Sequence, residues 1–117
     1  MKRAVITGVG AVTPVGIGKD EMWKNIKDGV SGIGIISKFD PTDFACRVAA
    51  EVKDFDVTKY IEKKEAKRMD LFVQYAVAAA KMAVEDAGID MSAEGPTRCA
   101  VIAGSGIGGI RTLCEQH

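Results

Sequence analysis

Between residues 70 and 87 the chain reads Asp-Leu-Phe-Val-Gln-Tyr-Ala-Val-Ala-Ala-Ala-Lys-Met-Ala-Val-Glu-Asp-Ala. Wound as a helix, it has after its first turn only Gln74, Lys81, Glu85 and Asp86 as polar residues, and they fall on one narrow stripe. A surface helix keeps a broad polar face, whereas a helix that is apolar nearly all round needs cover on several sides. The length approaches that of a membrane span, but Asp70, Lys81, Glu85 and Asp86 argue against lipid. Gly88 follows as a stop, because a left-handed backbone costs glycine little.

The rest of the pattern supplies candidate neighbours. Residues 3–7 (RAVIT) and 99–103 (CAVIA) are short, apolar and rich in β-branched positions, which predicts two buried strands. Residues 19–28 predict an amphipathic helix, with Asp20 and Glu21 at its N-terminus, Met22, Trp23 and Ile26 facing inward and Gly29 ending it. Residues 8–18 read as a glycine-rich turn and 31–43 as a loop containing Phe39-Asp40-Pro41. Residues 46–52 read as a strand that Arg47 and Glu51 put near an edge, and 93–98 as a polar turn. Residues 57–69 read as a charged helix that bends or breaks before Asp70. The order strand, helix, strand, helix, helix, strand indicates an α/β protein with mixed or parallel pairing. Two apolar strands give an all-round apolar helix too little cover, so the chain reads as truncated and, alone, as prone to aggregate or to stay molten.

Composition and charge narrow the class. The 117 residues suit one domain, and 16 basic against 16 acidic residues leave no overall field to recruit nucleic acid or anionic lipid. Three cysteines, an odd number without metal-ligand spacing, suit a reducing, cytoplasmic setting. The opening MKRAVITGVGAVTPVG has the basic start and apolar run of a signal peptide. Gly8, Gly10, Pro14 and Gly16 interrupt it, and it reads instead as a strand and a turn.

Three constellations carry possible chemistry. Gly104-Ser105-Gly106-Ile107-Gly108-Gly109 fits G-x-G-x-x-G after a strand, the form of a dinucleotide-binding turn. The signal is weak, because the acidic residue that should follow about twenty positions on falls outside these residues; the other readings are a tight strand exit, or a backbone passing close to a ligand with Ile107 as its one bulky side chain. Lys63, Lys64, Lys67 and Arg68 concentrate positive charge: residues 59–68 hold five cations and two anions. They form either a solvated face or a docking site for an acidic partner. On one helix, Lys63 with Lys67 and Lys64 with Arg68 would be like-charge pairs costing roughly 0.2–0.5 kcal/mol each. Cys114-x-x-His117 offers too few ligands for zinc. Cys46 and Cys99 read as packing cysteines rather than reactive thiols.

Taken in order, Ala4–Gly10 (AVITGVG), Thr13-Pro14-Val15-Gly16, Trp23, Gly29-Val30-Ser31-Gly32-Ile33, Phe39-Asp40, Ala49-Ala50-Glu51-Val52, Asp54-Phe55, Lys64-Glu65, Met69-Asp70, Gln74-Tyr75, Asp86-Ala87-Gly88 and the 104–109 glycine run resemble the N-terminal part of the β-ketoacyl-acyl carrier protein synthases, over essentially the whole chain. The resemblance, strongest to the elongating enzymes of bacterial type II fatty-acid synthesis, implies a thiolase-like fold, an αβαβα layered sandwich of which residues 1–117 would be part of the first half. It implies a homodimer, an acyl carrier protein as partner, no cofactor or metal, and a decarboxylative Claisen condensation. The family's nucleophile sits in a Thr-Ala-Cys context, and its two histidines lie beyond that. Cys46, Cys99, Cys114 and His117 match none of these, so no catalytic residue is assigned and the 117 residues alone are expected to be inactive. Residue by residue, the resemblance makes Ile107 a wall and gate of the acyl pocket. It makes Lys64, Lys67 and Arg68 a carrier-protein contact, with Lys67 and Arg68 in the reverse of a relative's order. A non-catalytic carrier-binding piece and a nucleotide-binding α/β domain are the alternatives.

Overall fold

In a computed structural model, which describes residues 3–90, 92–93 and 95–117, the chain divides into two units, Ala11–Phe55 and the described residues on either side of it. Met1 and Lys2 of the basic start and Glu94 of the predicted 93–98 turn lie outside the described residues.

In the Ala11–Phe55 unit the predicted glycine-rich turn contains a hairpin. Strand β1 (Val12–Thr13) pairs antiparallel with β2 (Gly16–Ile17) across Pro14 and Val15, and the Thr13 hydroxyl donates to the Gly16 carbonyl at 2.8 Å. Helix α1 (Lys19–Lys27) follows as predicted, and the Glu21 carboxylate reaches back to accept from the Ile17 N–H at 2.9 Å. Asn25 ties the helix to the hairpin through a 2.6 Å bond from Nδ2 to the Val15 carbonyl. The expected inner face is corrected: Trp23 and Ile26 are exposed, because no element of the unit packs over them. Residues 31–43 are not wholly loop either. Strand β3 (Ile33–Ile35) pairs antiparallel with β4 (Val48–Ala50), Gly34 opposite Ala49. The predicted 46–52 strand is thus real but shorter, since Glu51 turns aside and its carboxylate accepts from the Ser37 hydroxyl at 2.6 Å.

The second unit is built on helix α3 (Leu71–Ala87), within a residue of the predicted span and closed by Gly88 in the left-handed region at φ 62°. The charged stretch before it is a 3₁₀ turn (Val57–Lys59) and a short helix α2 (Lys63–Ala66), with the expected break at residues 67–70. Gln74 spans this break: its side-chain amide donates to the Ala66 and Met69 carbonyls, both at 3.0 Å. The Ala66 carbonyl already accepts from the Met69 N–H at 3.1 Å, so the Gln74 amide adds a second bond there and bonds the Met69 carbonyl across the break, where helix ends leave carbonyls without a partner in the helix. Ile61, Ala66 and Ala78 are the buried apolar side chains here, Ala78 completely. After a 3₁₀ turn (Pro96–Arg98) and the glycine loop comes helix α4 (Ile110–Gln116).

The segment running into the unit from residue 3 lies along α3. Ala79, Ala83 and Ala87 recur every four residues and so form one row on the helix. Gly8 and Gly10, two apart on an extended segment, face that row. A Cβ on Gly8 would meet the Ala83 carbonyl and come within 2.7 Å of the Ala87 Cβ, and one on Gly10 would run into the Ala79 carbonyl. The Val9 N–H between them donates to the Asp86 carboxylate at 3.0 Å. Gly8 and Gly10 are therefore places of close approach more than of turning.

Two predicted strands are not formed. Residues 3–7 and 99–103 pair with no strand among the described residues, and Val5, Ile6, Val101 and Ile102 are exposed, Ile102 at 98%. An apolar, β-branched run has the capacity to pair, but a ladder needs a second strand beside it. The expectation that α3 has too little cover is matched by its exposure: Leu71, Phe72 and Val84 remain open to solvent.

In the intact natural protein, Gly10→Ala should lower the urea midpoint by an amount equivalent to about 1–3 kcal/mol, the usual cost of forcing an extra methyl into a closed contact. Gly34→Ala, where nothing lies within 4 Å, should change it by no more than about 0.5 kcal/mol.

Candidate functional site

The loop bearing Ile107 is anchored at its exit. The Ser105 hydroxyl accepts from the Gly108 N–H at 2.9 Å, closing a small turn with Gly106 and Ile107 at its tip. Gly108 takes φ 73°, which side chains resist, and a Cβ there would lie 3.9 Å from the Phe72 ring. Gly109 sits against the Asp70 carboxylate, leaving no space for a Cβ. Ile107 itself is 78% exposed and projects from the tip.

Asp70 is the residue this loop meets. It occupies the N-cap of α3 but makes no side-chain cap bond to its own helix; its Oδ2 accepts instead from the Thr112 hydroxyl on α4. The Thr112 hydroxyl holds the Asp70 carboxyl below its ordinary value of 3.8; burial opposes this, and the N–H groups of Leu71, Phe72 and Thr112 add smaller lowering effects. Sequence reasoning did not assign Asp70 or Thr112 to the site. An aspartate just ahead of an apolar helical run is a recognisable cap signal, but nothing local marks Thr112. Helix α4 was not anticipated either, although Ile110, Leu113 and Cys114 at helical spacing and the Arg111–Glu115 ion pair at 2.7 Å are helix signals.

The four cations lie elsewhere in the same unit, and all are exposed. Lys63 and Lys64 are on α2, while Lys67 and Arg68 are on the turn that follows it. The expectation of two like-charge pairs on one helix is corrected. The Lys67 N–H still bonds the Lys63 carbonyl, but the Arg68 N–H bonds Glu65, three residues back, so Lys64 and Arg68 do not share a continuous α-helix. The structure does not bring the Ile107 loop and the cations into one cluster through any hydrogen bond or ion pair among the described residues.

Other candidate chemistry is thin. Cys46, Cys99 and Cys114 are all exposed, which corrects the reading of the first two as packing cysteines; the strands that would enclose them are short or unformed. Among the described residues no three His, Cys, Asp or Glu side chains could hold a metal ion, and no helix is long and apolar enough to cross a membrane. An open groove of about 440 Å³ runs along α3, lined by Val77, Ala80, Lys81, Val84, Glu85, Gly88 and Ile89.

One unit carries short antiparallel strands and a helix, the other a glycine loop pinned beside an apolar helix, and comparison with known proteins gives the class. The family model described as "Beta-ketoacyl synthase, N-terminal domain" matches residues 1–117, and the chain belongs to that family. It is 47% identical over 116 residues to the 3-oxoacyl-[acyl-carrier-protein] synthase 2 of Vibrio harveyi, 45% to that of Staphylococcus aureus and 44% to that of Synechocystis. In each case 99% of this chain is covered, but only 28% of the relative's length. Among solved structures, the ishigamide ketosynthase/chain length factor superposes with a TM-score of 0.68 and 39% identity, over 75% of this chain and 22% of that one. The fold class is accordingly the thiolase-like α/β fold of the ketosynthases, of which this chain covers a fraction.

The Asp70 carboxyl should titrate below the ordinary aspartate range by NMR, and Thr112→Val should move its midpoint up, because the largest lowering contribution is removed. A group with a depressed folded pKa adds stability above its unfolded value and loses it as pH falls through the folded one. The α3–α4 contact should therefore be intact at neutral pH and weaken only in strong acid, below the ordinary carboxylate range.

Proposed function

We propose that these residues serve a condensing enzyme of type II fatty-acid biosynthesis. The observation that carries this reading is 44–47% identity, over 99% of the chain, to proteins named 3-oxoacyl-[acyl-carrier-protein] synthase 2. In the reaction an acyl group is held as a thioester on a cysteine. Malonyl-carrier protein loses CO₂, and the carbanion left at its α-carbon attacks the thioester carbonyl. A C–C bond forms, the C–S bond breaks, and thiolate and 3-oxoacyl-carrier protein result. Such a step needs a thiolate of lowered pKa, proton-handling groups and donors to the developing oxyanion.

This chain's share of that work is recognition. No Thr-Ala-Cys occurs in the sequence and His117 is its single histidine, so no residue here is given a catalytic role, and we expect the 117 residues alone to be inactive. Ile107, exposed at the tip of an anchored loop, is suited to touch an acyl chain. Lys64, Lys67 and Arg68, exposed and close in sequence in a chain without net charge, are suited to receive an acidic carrier protein. A homodimer in the cytoplasm, without cofactor or metal, completes the reading. Residues 1–117 are its N-terminal part. A purely carrier-binding role for this piece draws on the same cations. Nucleotide binding is disfavoured, because the Asp70 carboxylate already occupies the space beside Gly109 and Thr112 where a pyrophosphate would have to sit.

Reversing Lys64, Lys67 and Arg68 to Glu in the intact natural protein should slow association with acyl carrier protein by about 10- to 100-fold at low salt, with the difference shrinking as salt screens it. An unchanged association rate at low salt would remove these residues from the docking site.

A further inference from the structure

We propose that Asp70 is a positioning residue for the 104–109 loop: by holding Thr112 and abutting Gly109 it fixes where Ile107 is presented, and so sharpens discrimination between acyl chains of different length. The consequence for specificity rests on the reading of Ile107 as an acyl-pocket wall; the tether itself is a matter of geometry.

Two observations converge on Asp70. An aspartate at an N-cap ordinarily accepts from an N–H two or three residues on. Here no cap hydrogen bond is formed, although the Leu71 and Phe72 N–H groups are near enough to act on the carboxylate, and the side chain bonds instead to a hydroxyl 42 residues away. The loop also meets the same helix start twice more, Gly109 against the carboxylate and Gly108 beside the Phe72 ring. Thr112 and Gly109 together make a foot that holds the exit of the loop to the start of α3. Between that foot and Ile107 the Ser105–Gly108 bond leaves little slack. The side chain whose place decides how long an acyl chain fits would thus inherit its place from α3.

Replacing Asp70 removes the carboxylate beside the first N–H groups of α3 as well as the tether, so the discriminating variants are at Thr112. In the intact natural protein, Thr112→Val keeps the side-chain shape and deletes the donor, while Thr112→Ser keeps the donor. Amide hydrogen exchange over residues 104–113 should be roughly five- to tenfold faster in Thr112→Val, as expected for one lost hydrogen bond, and close to wild type in Thr112→Ser. The ratio of kcat/KM between preferred and shorter acyl-carrier substrates should fall at least threefold in Thr112→Val and recover in Thr112→Ser. Unchanged exchange in Thr112→Val would overturn the tether, whatever the protein catalyses. Faster exchange with serine rescue but an unaltered ratio would leave the tether standing and overturn its role in specificity, together with the reading of Ile107 as a pocket wall.

Discussion

A helix that is apolar on almost every side survives in water only as far as its neighbours come close, and how close they come is set by the side chains that are missing. Along α3 the missing side chains belong to Gly8 and Gly10, which lie over the row Ala79, Ala83 and Ala87. Small residues on both partners let backbone meet helix directly, so the contact relies on dispersion over a short distance. The Val9–Asp86 hydrogen bond then fixes register along the row. Among the described residues little else in the unit is closed in this way: Ala78 is fully buried, but no large side chain is.

The same helix organises the functional features from its N-terminal end. Gln74 closes off the carbonyls of the turn that displays the cations, and Asp70 closes off the loop that displays Ile107. Both act by completing hydrogen bonds that helix ends and loop exits leave open. Groups displayed on loops and turns are placed only as well as the rigid element behind them, and here one helix holds both segments through polar side chains four residues apart.

Local signals were legible in the sequence and distant ones were not. The spans of α1 and α3, the stops at Gly29 and Gly88 and the break before Asp70 all depend on periodicity and caps within a few residues. The apolar runs at 3–7 and 99–103 carried the composition of strands, but pairing depends on what lies beside them in space. β3 was hidden for the converse reason: Ile-Gly-Ile is too short and too glycine-diluted to stand out, and becomes a strand through its register with Val48–Ala50. At the candidate site, local charge and the glycine run drew attention by themselves, and the role proposed for Ile107 comes from resemblance to a family rather than from its local pattern. The bond from Thr112 to Asp70 spans 42 residues and leaves no trace in local pattern.

The glycine contact at the start of the chain also has a timetable. Val9 is bonded to a residue 77 positions later, and ribosomes add roughly 5–20 residues per second. The leading segment, with Val5 and Ile6 still exposed even in the folded unit, therefore spends several seconds after synthesis without the helix it will rest on. During that interval it is an apolar, β-branched ribbon free to pair with another nascent chain or to be held by a chaperone. Its two glycines then have a second value, since they weaken the segment's own tendency to form a strand while it waits.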